Sequence, residues 1–330
     1  MVNDLHAHIL PPALVAALKL RDTPPRIVPR GGHWRLEMPV GSVPFGAGFH
    51  DLAQRLSALD AAGIRRQLLS LPGLFGVDSL PLAEAAPLCR AFNDGAAAAA
   101  AAHPDRFAWL AALPLADMDA ALGELARARA LGASGAIIAA SAFRSEADAR
   151  HRGLPLLEAL EAHGGGHVFV HPGRWPGDAP PPETPYPDLA FARRQVDIQT
   201  EITEAAITLL YSPLLDGLPG LTVQVANLGG VLAMVIERIE EVVTGRGLDA
   251  PAPDFRAGRL LFDCASMGPR AIEIAARTFG AHTLALGTDM PIFDAAPRMA
   301  ALRATELGAD ERATILGAGG FLWPQAHVPA

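Results

Sequence analysis

Cysteine and clustered positive charge are what this chain has least of. Two cysteines, Cys89 and Cys264, stand among 330 residues. That is too few for a disulfide framework, and neither has a sequence neighbour that would activate it as a nucleophile, so both are expected to be buried thiols. The formal net charge is −8 and no run of lysine or arginine interrupts it, which argues against nucleic acid or an anionic membrane surface as a partner. No unbroken apolar segment reaches transmembrane length. No signal peptide is evident, because the first residues already read as a strand, so a cytoplasmic location is the default expectation. There is no internal repeat beyond a strand–helix alternation, and the alanine-rich run 96–102 is expected to be helix, alanine being the best helix former.

What is present is a long succession of apolar segments. Half of the residues are hydrophobic and no shift of composition marks a second domain, so residues 1–330 are expected to form one unit. Short β-rich runs are expected near Val2–Leu5, Gln67–Leu71, Phe107–Leu113, Ala136–Ala139, His167–Val170, Thr222–Ala226, Leu260–Phe262 and Thr283–Leu286. Helical stretches lie between them: His50–Ala62, Leu82–Ala102, Met118–Leu131, Leu154–His163, Thr200–Leu215, Gly230–Val243 and Pro269–Phe279. Eight strands each followed by a helix favour an α/β fold of the TIM-barrel type over a doubly wound sheet. Two insertions interrupt the pattern. Residues 23–49 hold two extended runs, Arg26–Arg30 and Trp34–Val40, around Gly31-Gly32, which suggests a β-hairpin over the barrel mouth. Residues 172–187 are crowded with proline and stand where an active-site lid would be.

The chemistry is concentrated at the ends of those strands. In Asp4-Leu5-His6-Ala7-His8 the two histidines are separated by one residue, so on a strand they share a face and can reach one metal ion. Carboxyl-terminal strand ends converge on the active site of such a barrel. Here they supply His6 and His8, Ser70, Pro114, Ser141, His171, Asn227, Asp263 and Asp289. Three imidazoles and a carboxylate suit zinc, with manganese or iron as alternatives. A zinc site with an open position would lower the pKa of bound water towards about 7.

Several motifs resemble the amidohydrolase superfamily. They are His6-Ala7-His8, His167-Val168-Phe169-Val170-His171-Pro172, Val225-Ala226-Asn227-Leu228-Gly229-Gly230 and Gly287-Thr288-Asp289-Met290-Pro291. More narrowly, Phe92-Asn93-Asp94, His103-Pro104-Asp105-Arg106-Phe107, Leu113-Pro114-Leu115, Gly132-Ala133-Ser134-Gly135-Ala136, Leu261-Phe262-Asp263 and Ile315-Leu316-Gly317 resemble the branch of aminocarboxymuconate-semialdehyde decarboxylase and γ-resorcylate decarboxylase. The resemblance covers nearly the whole chain. It implies a distorted (β/α)8 TIM barrel of the metal-dependent hydrolase type with one zinc or manganese ion per chain, held by His6, His8, His171 and Asp289. It also implies a homodimer in which Arg238 reaches the neighbouring subunit's site; the other reading of Arg238 is an exposed helix arginine paired with Glu241 or Asp249.

Three departures set this chain apart from that pattern. Asn227 stands where the family carries a proton-moving histidine, and an amide cannot titrate, so Asp289 would carry acid–base work alone while Asn227 orients. The family's carboxylate-binding arginine in the first insertion has no counterpart in Gly41-Ser42-Val43-Pro44-Phe45. Gly173 replaces a tryptophan after the strand-five histidine, with Arg174 and Trp175 nearby as substitutes. His50, following the first insertion, is a further substrate-binding candidate. Asp263 is expected as a structural carboxylate near the mouth, and Asp4 as a partner of His6 or a polar packing residue. The remaining histidines, His33, His103, His151, His163, His167, His282 and His327, are read as structural or solvated.

The expected activity is a cofactor-free, metal-dependent decarboxylase or related lyase acting on a small unsaturated or aromatic carboxylic acid. The alternatives are a metal-dependent hydrolase of an amide, ester or lactone, and a catalytically silent metal-binding scaffold. The expected partner is a small-molecule substrate.

Overall fold

The computed structural model describes residues 1–39, 41–179, 187–246 and 259–323, with the backbone alone for 187–191. In chain order its strands are β1 (Asn3–His8), β2 (Arg26–Arg30), β3 (His33–Met38), β4 (Gly41–Pro44), β5 (Arg66–Ser70), β6 (Phe107–Trp109), β7 (Gly135–Ala139), β8 (Gly166–His171), β9 (Leu221–Val225), β10 (Leu260–Asp263) and β11 (Leu284–Ala285). One parallel sheet has the order β1-β5-β6 and a second the order β11-β10-β9-β8-β7. Backbone bonds join their edges on both sides. Leu5 N–H donates to Leu286 O at 2.9 Å and Asp289 N–H to His6 O at 2.7 Å, while Ala111 N–H donates to Gly135 O at 2.9 Å and Ile137 N–H to Ala111 O at 3.2 Å.

Parallel strands covered by helices are buried on both faces, which is why they read as near-continuous apolar runs. The five residues of β7, Gly-Ala-Ile-Ile-Ala, are all buried. Helices follow the strands at Leu52–Ala62, Leu82–Ala102, Met118–Ala130, Leu154–Ala162, Pro187–Tyr211, Leu232–Gly245 and Pro269–Phe279. Their ends obey local chemistry. Asp51 accepts from Gln54 N–H and Asp117 from Ala120 N–H, each satisfying a donor that the first turn leaves free, and Gly63 closes the Leu52–Ala62 helix in the left-handed region. Among the described residues no helix is long and apolar enough to cross a membrane.

Three elements differ from expectation, each for a physical reason. The strand expected over 107–113 stops at Trp109, because the Asn93 side chain takes over the backbone of Ala112, donating to its carbonyl and accepting from its N–H, both at 2.9 Å. The helix expected over 200–215 runs from Pro187 to Tyr211. Proline suits a first helical turn, where its missing N–H has no partner to lose, and Pro213 turns the chain into a separate short 3-10 turn. Residues 26–44 form a three-stranded antiparallel meander, β2-β3-β4, one strand more than a hairpin. Of the proline-rich 172–187, residues 180–186 lie outside the described residues.

Candidate active site

His6 and His8 close β1, and the strand carries them to the same side. Asp4 faces Gln67 and Ala7 faces Leu69, so β1 holds one residue more than β5 over this stretch. A bulge of this kind bends a strand and re-aims its side chains, and the His6 N–H is met by Asp4 Oδ1 at 3.2 Å. His171 ends β8. The three rings are mutually edge-on, with centroids 4.9–5.0 Å apart, and one nitrogen of each lies within 4.8 Å of the others.

The second nitrogen of each ring is already committed. His6 Nδ1 donates to Asp263 Oδ1 at 2.9 Å, and His171 Nδ1 donates to Pro172 O at 2.9 Å. His8 Nδ1 lies 3.0 Å from Ser70 Oγ, whose own proton goes to Ala7 O, so the histidine is the donor. Three Nε2 atoms therefore face one another. His6 Nε2 is buried without a hydrogen-bond partner, and Asp289 Oδ1 lies 3.6 Å from it and 3.1 Å from His8 Nε2. Imidazoles oriented through Nδ1, with Nε2 converging beside a carboxylate, fit a single divalent cation.

At His8 and His171 the electrostatics agree with that fit. Burial, reinforced by the neighbouring imidazoles, holds the pKa values of His8 and His171 well below the ordinary histidine range, which keeps both neutral as ligands must be. At His6 burial pulls the same way, but the charges of Asp263 and Asp289 outweigh it and hold the ring up to about 9. Asp263 is opposed by burial yet held below the carboxylate range by His6. Asp289 is pushed up, chiefly by burial.

Asp263 is the hub behind the histidines. Its Oδ1 also accepts from the backbone of Ala265 and Asn227, and its Oδ2 from Gln224 Nε2 at 2.7 Å. Gln224 further bonds Leu5 O and buried His167, so a line of polar groups crosses the strands to β1. Asp4 bonds Gln67 and Thr288 and touches the backbone of His6, not its ring. Arg55, fully buried, donates to His8 O at 2.6 Å and fixes that end of β1 from outside.

Among the described residues the non-glycine positions with positive φ are Asn227, Leu228, Ser266 and Asp289, and three of them line the cavity above the histidines. Such backbone costs free energy and tends to collect at functional sites. Asn227 Nδ2 donates to Ala265 O at 2.9 Å and Ser266 Oγ at 3.2 Å, tying two strand ends together at the cavity wall.

The cavity, about 220 Å³, is walled by Met38 and Val43 of the meander, Leu74 and Phe75, Ile198, Ile292 and Phe293, with His6, His8, His171, Asp289 and Asn227 among its polar groups. The four substrate-binding candidates are placed elsewhere. The His50 ring stacks on Phe45 at 5.5 Å. Arg174 donates to Ala179 O. Trp175 has its backbone N–H bonded to Ser141 and Asp178 and its indole under Arg152. Arg238 is exposed on the Leu232–Gly245 helix without an ion pair among the described residues, Asp249 lying outside them. Arg194 and Gln199 line the cavity instead. Sequence reasoning missed them because the helix that carries them was not recognised before Thr200; the i, i+1, i+4, i+5 spacing of Arg194, Gln195, Ile198 and Gln199 was the available signal.

Comparison with known proteins adds an independent line. The family model described as Amidohydrolase matches residues 4–318. A 2-amino-3-carboxymuconate-6-semialdehyde decarboxylase of Dictyostelium discoideum is 27% identical over 244 residues, covering 72% of this chain and 66% of its own length. A γ-resorcylate decarboxylase of Rhizobium radiobacter is 33% identical over 203 residues, covering 56% and 58%. The matches thus span less than two thirds of either relative. A 5-carboxyvanillate decarboxylase from Novosphingobium aromaticivorans, solved with manganese and 4-hydroxy-3-methoxy-5-nitrobenzoic acid, superposes with a TM-score of 0.69 at 18% identity over 96% of this chain and 93% of its own.

Proposed function

The chain belongs to the amidohydrolase family, and we propose that it is a metal-dependent decarboxylase, free of organic cofactor, of a small unsaturated or aromatic carboxylic acid. The observation that carries this reading is the convergence of three Nε2 atoms and Asp289 at the base of an apolar cavity, and both curated relatives are decarboxylases. His6, His8, His171 and Asp289 would hold the ion. When bound, it would supply a Lewis acid that stabilises negative charge developing on the substrate.

The chain's own residues do the rest. Asp263, Ser70 and Pro172 O hold the three rings in the tautomer that presents Nε2. Asp289, beside the three imidazoles with Oδ1 3.1 Å from His8 Nε2, passes a proton to the substrate carbon that bears the carboxylate. The bond from that carbon to the carboxylate then breaks, its electron pair returns to the carbon, and carbon dioxide leaves. Asn227 cannot titrate and serves to orient substrate and the Ala265–Ser266 turn. Phe75, Leu74, Ile292 and Phe293 exclude water and suit a planar apolar body.

The same proposal takes in the remaining features. The edge bonds between the two parallel sheets support one closed eight-stranded barrel, with the meander over its mouth. Three nitrogen ligands favour zinc, while the manganese in the superposed decarboxylase keeps manganese as the alternative. Two free buried cysteines suit a reducing cytoplasm. Exposed Val231 and Met234 near Arg238 support a homodimer in which Arg238 reaches the partner's site.

The test is metal content by inductively coupled plasma mass spectrometry on protein purified without chelator, followed by carbon dioxide release from a panel of aromatic and unsaturated acids. One zinc or manganese per chain, lost in His6→Ala/His8→Ala, with carbon dioxide released from a panel member, is the expected result. Hydrolysis of esters or lactones without any decarboxylation would replace it with the hydrolase reading. Absence of metal after reconstitution would leave a silent scaffold.

A further inference from the structure

Outside its imidazoles the cavity is lined by one cationic side chain among the described residues. Arg194 enters from the Pro187–Tyr211 helix, half-buried, beside Gln195, Ile198 and Gln199. A guanidinium keeps its charge and offers five N–H donors in a fixed fork. Two other half-buried arginines are answered by carboxylates: Arg152 by Asp178 and Arg127 by Asp94 and Glu124. Arg194 pairs with no carboxylate among the described residues.

The neighbouring β4 is shaped around it. Gly41 opens β4 with φ +130°, and a Cβ built on it would lie 3.2 Å from Arg194 Nη1. A side chain at this position would press on the guanidinium, and it would also strain a backbone that suits glycine. The stretch that follows, Ser42-Val43-Pro44-Phe45, carries no charge of its own. This helix and β4 therefore bring one cation without a carboxylate partner among the described residues to the cavity, while the histidine cluster rises from β1 and β8.

We propose that Arg194 is the anion-recognition residue of this cavity, and that its ligand is a dianionic acid: a small apolar body carrying one acidic group for the histidine cluster and a second for Arg194. The proposal rests on the cavity being the substrate site, and it does not depend on which bond the enzyme breaks.

The experiment is isothermal titration calorimetry on the zinc-loaded full chain with two probes of nearly equal shape, isophthalate and its monomethyl ester, which differ by one negative charge. The wild type is expected to prefer isophthalate by about tenfold or more, the range of a charge-assisted hydrogen bond. Arg194→Gln is expected to bring the two affinities within about twofold with the zinc content unchanged, and Arg194→Lys to retain part of the preference. Arg194→Met serves as a second neutral variant should Arg194→Gln fail to fold. A preference that survives in the neutral variant, or a wild type that does not distinguish the probes or binds neither, overturns the assignment. Loss of the preference in an enzyme that releases no carbon dioxide from any acid would leave Arg194 in place and remove the decarboxylase reading.

Discussion

His6 and Asp263 lie 257 residues apart, and in the fold the His6 Nδ1–H points at Asp263 Oδ1 from 2.9 Å, both side chains fully buried. The carboxylate thereby fixes which nitrogen of His6 faces the cavity. Asp263→Asn keeps the shape but weakens the acceptor and puts an amide donor into the same cluster. Partners of this kind tune metal affinity by about 10–100-fold when removed. Zinc affinity measured by chelator competition is expected to fall within that range, and unchanged affinity would remove Asp263 from the orientation of His6.

In the proposed mechanism Asp289 combines two tasks, ligand and proton donor, and its Oδ1 lies near both strand-one histidines. Asp289→Asn keeps a weak oxygen ligand but cannot exchange a proton. Turnover is expected to fall by roughly 10²–10⁴-fold, the usual loss of a general acid or base, with metal still detectable by mass spectrometry. Near-normal turnover would take Asp289 out of the mechanism.

Asn227 has φ 52°, a conformation that asparagine tolerates better than alanine, and its amide holds Ala265 and Ser266. Asn227→Ala is therefore expected to lower the melting temperature, through about 1–2 kcal/mol of backbone strain and lost hydrogen bonding, and to slow turnover while metal content stays intact. Loss of the ion in this variant would make Asn227 a ligand.

These residues were legible in the sequence to very different degrees. His6 and His8 follow from the two-residue period of a strand, and His171 and Asp289 from their places at strand ends, all of which are local patterns. The partner of His6 is not local: Asp263 reaches it only because β10, β11 and β1 meet side by side, so the sequence could offer it no better role than a structural carboxylate near the mouth. The substrate wall was the least legible part. His50, Arg174 and Trp175 stand close to the cavity in sequence, but a ring stack on Phe45, the Ala179 carbonyl and the Ser141–Asp178 pair engage them elsewhere. Arg194 sits on a helix whose opening turns follow a proline-rich stretch, where hydrophobic periodicity gives no warning.

Asp78 supplies a test of stability separate from the metal. It is buried close to the turn that carries Leu74 and Phe75 into the cavity wall, and its Oδ1 has no hydrogen-bond partner. Burial pushes its pKa from 3.8 up to about 7, against the backbone N–H groups that favour the charged form. Between those two values the folded chain binds more protons at this site than the unfolded chain does. The contribution of Asp78 to stability therefore falls as pH rises from about 4 to about 7 and levels off above, by a few kcal/mol at about 1.4 kcal/mol per pKa unit. Asp78→Asn removes the ionisation and keeps the volume. Scanning calorimetry is expected to show the variant melting several degrees above the wild type at pH 8 and close to it at pH 4.5. A variant destabilised equally at both pH values would mean that the carboxylate has a partner whose loss outweighs the relief of burying its charge.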